Sequence, residues 1–527
     1  MSVAAWLLAC QVGAAPGPVQ TSTVPLPAGL RASAATWGDV DGDGVVDLVL
    51  ARFDPKRRFA RSIAVHLGRG ARAATSAKPD LEFDATADTS AFAVGDVHAD
   101  PGEEIVLFSA GGAYCWRPKA SEDQRFVRLF AADFLWQLAD PERIHPWSEG
   151  LRDLDGDRKL DVIVPEPGGW RLVFQRRGAD GAASFDESVV LTAPPEPLDD
   201  QAYMSLENGS PEFRGSRRAD TLRVSFSLDS QSPDELDFYD PLLDVVERVP
   251  SPHFFDFDGD GDLDLVAQTT RRLWTYPQTG RGNFVAAATL SSPLPVLADR
   301  DRRLDASYAA RAIDLDLDGR VDCAIFAGDR RSEDVRTQAL FFVQGQGRGD
   351  AAQTAESPVF GARGVPSQLL VIAGFVAAAS FERVDADPYP DLVVRCVRPD
   401  LIDQLRSISS ETLDADLYVY LNKKGVLSKR PDVSWRFPVR LRGFDPNARF
   451  VGDQNGDGWS ELFVRAEPEH VRLFALRVGR EGASVFEKPL WEQTIDPEAD
   501  IDFPERDGGP HGVLVRERSQ VLEVRWR

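Results

Sequence analysis

Basic charge is scarce in this chain, and so are cysteine and long apolar runs. Of 527 residues, 60 are Lys or Arg against 84 Asp or Glu, a formal net charge of −24. That balance argues against nucleic acid as a partner, because phosphate contacts need clustered Lys and Arg. Cys10, Cys115, Cys323 and Cys396 are widely spaced and form no CxxC pair. They predict neither a disulfide framework nor a zinc site, and beyond Cys10 they read as small buried hydrophobes in strands. Past the N-terminal segment no stretch approaches the ~18 apolar residues of a membrane span. The six histidines (His66, His98, His145, His253, His470 and His511) are scattered, and there is no Gly-x-Ser-x-Gly elbow, phosphate loop or HExxH. No catalytic constellation is readable, which favours binding over catalysis.

The N-terminus, Met1-Ser-Val-Ala-Ala-Trp-Leu-Leu-Ala-Cys10, is a short apolar run followed by small residues. Residues 1–17 therefore read as an export signal, without the usual leading Lys or Arg. Leu7-Leu-Ala-Cys10 also resembles a bacterial lipoprotein cleavage box, so a lipid anchor at Cys10 is the alternative to simple removal. Either way the expected destination is the cell surface, the periplasm or the medium.

What the chain has in abundance is aspartate in a fixed frame. Asp39-Val-Asp-Gly-Asp-Gly-Val-Val-Asp47 recurs from Asp153 to Asp161, Asp256 to Asp264, Asp314 to Asp322 and Asp453 to Glu461. Weaker copies run from Asp96 to Glu104 and Arg383 to Asp391, and a worn one from Glu212 to Asp220. Asp39 to Asp96 and Asp96 to Asp153 are each 57 residues apart, and Asp256 to Asp314 is 58. Each copy leads into a short β-branched or aliphatic run such as Leu48-Val-Leu, Val162-Ile-Val or Leu392-Val-Val, which reads as a buried strand. A second strand and a Gly-rich turn, for example Gly280-Arg-Gly-Asn-Phe284, usually follow. A unit of this size with several short strands fits a four-stranded propeller blade, which must stack on neighbours to bury both faces. The expected fold is all-β: one propeller over residues 18–527, of about eight blades, with seven or nine also fitting. The last hairpin lacks a final strand, and residues 21–26 are expected to supply it from the N-terminus.

Four carboxylates within nine residues repel one another unless a cation sits among them. Ca²⁺ wants six to eight hard oxygens. Side chains at loop positions one, three, five and nine, with a backbone carbonyl at seven, meet that demand. Mg²⁺ fits less well, because it holds its waters and a tighter octahedron. The candidate ligands are Asp39/Asp41/Asp43/Asp47, Asp256/Asp258/Asp260/Asp264 and Asp314/Asp316/Asp318/Asp322, with Gly44, Gly261 and Gly319 at position six. Asp153/Asp155/Asp157/Asp161 has Arg158 at that position, a source of strain. Asp453/Asn455/Asp457/Glu461 has conservative changes and Gly458. Four or five ions are expected. Arg383 removes the first ligand of its copy, and His98 and Pro101 compromise theirs. Polar hairpin turns would explain one such stretch, but not five in one frame. EF-hand and dockerin loops are flanked by helices, whereas these are followed by strands.

These loops and the turn at Gly280–Phe284 resemble the FG-GAP/VCBS repeats, the blades of integrin α-subunit propellers and their bacterial relatives. The resemblance covers residues 30–527 and implies that each acidic loop joins the first two strands of a blade and binds Ca²⁺. It departs from the integrin form in lacking the Gly-Ala-Pro element. It is specific for fold and metal and a poor guide to the partner; the expected function is an extracellular recognition, adhesion or structural scaffold for a protein or glycan, working as a monomer. A lectin using Trp116, Trp136, Trp147, Trp170, Trp274 or Trp491, and a polysaccharide-lyase-like enzyme, are the alternatives. Residues 131–150 and 398–416 read as long insertions where a partner would bind.

Overall fold

The computed structural model is an all-β ring of eight antiparallel blades arranged as a β-propeller. It describes residues 19–68, 78–135, 140–177, 183–194, 215–216, 246–247, 249–258, 260–269, 272–293, 307–329, 336–343, 366–397, 412–440, 447–453, 457–479, 482–485, 488–504 and 512–525. Outside this set lie residues 1–17 with Cys10, Trp136, Asn455, most of the worn repeat from Glu212 to Asp220, and 398–411 of the second expected insertion. No helix among the described residues is long and apolar enough to cross a membrane.

Blades 1 to 7 comprise residues 31–84, 89–146, 151–192, 252–293, 307–373, 375–440 and 447–494. Blade 8 takes three strands from residues 500–525 and its fourth from the other end of the chain. The reason these segments are strands is their burial pattern. The second strand of blade 1, Asp47–Phe53, is buried at every residue, its apolar stretch Leu48–Ala51 covered on both faces. The fourth strand, Leu81–Asp84, alternates half-buried and exposed side chains and forms the outer edge. Blades 6 and 7 insert a short hairpin before their fourth strand, at 422–427 and 476–485.

Apolar clusters fill every junction of the ring. Val24, Trp37 and Leu48 meet Leu514 and Val521 between blades 1 and 8, and Val49 and Ile63 meet Phe92 and Ile105 between blades 1 and 2. One continuous cluster ties blades 2, 3 and 4, with Trp170 edge-on to Tyr276 at 5.8 Å. Four more bridge blades 4–5, 5–6, 6–7 and 7–8. Cys115, Cys323 and Cys396 are buried free thiols within this core, as their sequence context suggests.

Closure follows the expected route. Gln20–Pro25 pairs antiparallel with Gln520–Arg525, from Gln20 opposite Arg525 to Pro25 opposite Gln520. Fully buried Glu523 pins the seam: it accepts from Trp37 Nε1 of blade 1 at 2.8 Å and Ser22 Oγ of the closing strand at 3.0 Å. An open last blade would leave a strand edge unpaired, and this strand covers it.

The insertion at 131–150 behaves differently from the free loop its length suggests. His145–Pro146 pairs parallel to the first strand of blade 2 at Ala91 and Phe92, making a fifth strand. Phe134, Leu135, Ile144 and Trp147 are buried beside it. The apolar residues of this segment complete the core, while Ala131, Asp133, Asp140, Glu142, Arg143, Pro146, Ser148 and Glu149 remain exposed.

Candidate metal centres

Each acidic loop joins the first and second strands of a blade, and seven of the eight blades carry one. In blade 1 it spans the gap between Arg31–Gly38 and Asp47–Phe53, and in blade 5 between Ser307–Ile313 and Asp322–Asp329. The weak copies at Asp96 and Arg383 occupy the same junctions of blades 2 and 6. Blade 8 has no acidic repeat.

The loop closes on its ninth residue. Asp47, Glu104, Asp161, Asp264, Asp322 and Asp391 are at most 1 % exposed. One carboxylate oxygen of each accepts the backbone N–H of position two (Val40, Val97, Leu154, Phe257, Leu315, Val384) at 2.8 to 3.0 Å. That apolar second residue is itself buried, so the core holds the loop from below. The other oxygen of Asp47, Asp161, Asp264 and Asp391 accepts N–H from Gly68, Gln175, Gln278 and Asn422, near or just beyond the end of the third strand, at 2.7 to 2.9 Å. Burial dominates their chemistry. It lifts the Asp47 and Asp391 carboxyls to about 6, Asp161 and Asp264 to about 7, and Glu104 to about 8, against the pull of those N–H groups. The sequence reading gave position nine a purely ligating role. Here it is also the structural keystone of its blade.

Positions one, three and five form the cage above it. Asp39 accepts from the backbone of Asp43 and Gly44 at 3.1 and 3.0 Å, and Asp43 accepts from Val45 at 2.7 Å. The same turn repeats at Asp153, Asp314 and Asp453, whose carboxylates accept from residues four and five further on. Ligand oxygens of Asp39, Asp41 and Asp43 lie within 4.8 Å of one another, as do those of Asp153, Asp155 and Asp161, of Asp256, Asp258 and Asp260, and of Asp314, Asp316 and Asp322. Asp453, Asp457 and Glu461 sit at the corresponding places of blade 7.

Two features of the loop escaped the sequence reading. In blades 1, 3 and 5 position four takes a left-handed backbone as well as position six: Gly42 and Gly156 have φ of 67° and 72°. Leu317 adopts φ 54° there without being glycine, and Arg158 adopts φ 67° at position six. Cations supplied by the protein are the second feature. In blade 2, Arg117 bonds Asp100 at 2.8 Å and His98 lies 3.7 Å from the same carboxylate. In blade 3, Arg176 bonds Asp155 at 2.6 Å, and Lys159 pairs with Asp157.

The donor set suits a hard divalent cation. Asp316 Oδ1 is buried with no hydrogen-bond partner. Burial raises the Asp258 and Asp316 carboxyls, and their neighbours Asp260 and Asp256, and Asp318 and Asp314, raise them further. Carboxylates held close and short of positive charge fit an oxygen-liganded ion such as Ca²⁺. The tryptophans are placed otherwise. Trp116, Trp147 and Trp170 are at most 5 % exposed and pack inside or between blades, while Trp274 and Trp491 are half-buried. Stacking on a sugar is closed to the first three.

An eight-bladed propeller with an acidic loop at the head of seven blades is the class these observations define. The sequence model of the FG-GAP-like repeat matches residues 256–325, blade 4 and the start of blade 5, and the match and the ring together fit an FG-GAP-repeat propeller. No curated protein matches the chain. Similar solved structures include an Agrocybe aegerita lectin that recognises non-reducing terminal N-acetylglucosamine, 11% identical over 78% of this chain and 86% of that one, TM-score 0.31. Sqt1 from Chaetomium thermophilum is 9% identical over 97% and 100%, TM-score 0.39. The exotype rhamnogalacturonan lyase YesX is 13% identical over 96% and 75%, TM-score 0.32.

Proposed function

We propose that this protein is an exported, calcium-binding propeller that serves as a recognition, adhesion or structural scaffold for a protein or glycan, by binding rather than catalysis. The observation that carries the calcium reading is Asp316 Oδ1, a buried carboxylate oxygen without a hydrogen-bond partner amid Asp314, Asp318 and Asp322. Hydration is lost there, and a bound cation restores what burial removes while the carboxylate stays ionised. Asp39, Asp41 and Asp43, Asp256, Asp258 and Asp260, and Asp453 and Asp457 would hold further ions in the same way. Bound ions would stiffen the turns between first and second strands at one end of the ring. The export reading rests on the apolar N-terminal segment.

The test is thermal. Calcium at a hundred times its dissociation constant adds about 2.7 kcal/mol per independent site that binds only the folded state. Chelation is therefore expected to lower the melting temperature, and added Ca²⁺ to restore it where equal Mg²⁺ does not. A melt unchanged by confirmed metal removal would sink the proposal.

A further inference from the structure

Blade 3 has all four acids of a complete loop, yet its surroundings set it apart. Arg176 Nη1 lies 2.6 Å from Asp155 Oδ2 and 3.9 Å from Asp157 Oδ2. Lys159 Nζ pairs with the same Asp157 oxygen. Asp155 is only 5 % exposed, so its partner is not a casual surface contact. Three features aim Arg176 at the loop. A register shift falls between Phe174 and Arg176 in the pairing with the fourth strand, where Arg176 lies opposite Ser184. Glu187 of that strand accepts from Nε at 2.6 Å, and the guanidinium lies 5.0 Å over the Phe174 ring. The blade 4 turn closes over it at Gly282, where an added Cβ would lie 2.9 Å from Nη2.

Arg176 and Lys159 together bring two positive charges to the carboxylates, the charge of one divalent ion. We infer that blade 3 carries its own counter-cation, with Arg176 and Lys159 standing where the other complete loops take metal, so that this loop is a metal-independent member of the set.

This inference rests on reading the remaining loops as divalent-cation cages, and calcium calorimetry on the demetallated full-length protein separates the two. D157N is expected to leave the number of bound ions unchanged, and K159Q/R176Q to raise it by one while making blade 3 stability calcium-dependent. Loss of one ion in D157N overturns the inference, and so does a double variant that gains none. R176Q alone serves if the double variant does not fold, with a weaker added site expected and absence of any added site again overturning it. If the unmodified protein binds no calcium while K159Q/R176Q binds one ion, the calcium function fails and the built-in cation stands.

Discussion

Blades 1 to 7 and blade 8 solve one problem in two ways. Every blade needs a fixed junction near its first strands. In blade 4, Asp264 provides it, 1 % exposed and held by the backbone N–H groups of Phe257 and Gln278. Blade 8 has no acidic repeat, and its fully buried carboxylate is Glu523, on the third strand, held by Trp37 of blade 1, Ser22 of the closing strand and Arg525 of its own strand. The first arrangement is local, finished within one blade and complemented by a cation. The second is long-range and needs both ends of the chain. The ligand positions above each local junction can vary one at a time, as His98 and Arg383 illustrate while Glu104 and Asp391 keep their bonds to the loop, whereas the seam has no spare copy.

The comparison breaks most directly at the seam. Deleting residues 19–25 removes all six strand pairs with Gln520–Arg525 and the Ser22 bond to Glu523. The expected outcome is loss of a single cooperative melt, read by circular dichroism and calorimetry. A truncated protein that melts like the full chain would show the ring does not depend on this strand. Asp264→Ala should cost less, about 3 kcal/mol, because it strands two buried N–H groups. Its effect on denaturant unfolding should persist in chelator, since those bonds exist without metal. A loss confined to calcium-loaded protein would make Asp264 a ligand only.

Titration sharpens the contrast further. Asp47, Asp161, Asp264, Asp391 and Glu104 all have carboxyls raised by burial, to between about 6 and about 8. In demetallated protein the folded state then holds protons that the unfolded chain has released. Their stabilisation is full below the unfolded values near 4 and disappears as pH rises through 6 to 8. The melting temperature of the metal-free protein should fall across that window, and calcium should flatten the fall. A metal-free profile that rises from pH 4 to pH 8 would contradict the burial of these acids.

Much of this was legible in the sequence because the repeat is periodic in chemistry and not merely in hydrophobicity. The frame of Asp39, Asp153, Asp256, Asp314 and Asp453 fixed the strand that follows each loop, and the bare final hairpin pointed to Gln20–Pro25 as its partner. What stayed hidden depends on contacts between residues far apart in the chain. Arg176 reads as an ordinary strand residue until the fold brings it to Asp155. The 131–150 segment reads as a loop because it is irregular, although Phe134, Leu135 and Trp147 bury it. Position four was missed because glycine at six already accounted for the turn.

That last omission gives the smallest and cleanest test. Leu317 is 46% exposed, so its side chain contributes little packing, and its φ of 54° is a conformation that side chains with a Cβ resist. Blades 1 and 3 place Gly42 and Gly156 there. Leu317→Gly should relieve about 1 to 2 kcal/mol of backbone strain and give back about 0.4 to 1 kcal/mol through the freer unfolded chain. The net gain is a modest rise in melting temperature, present with and without calcium, because the strain belongs to the loop itself. A fall instead would mean that the exposed leucine packs on something in solution, or that the loop takes a different turn in blade 5 than in blades 1 and 3.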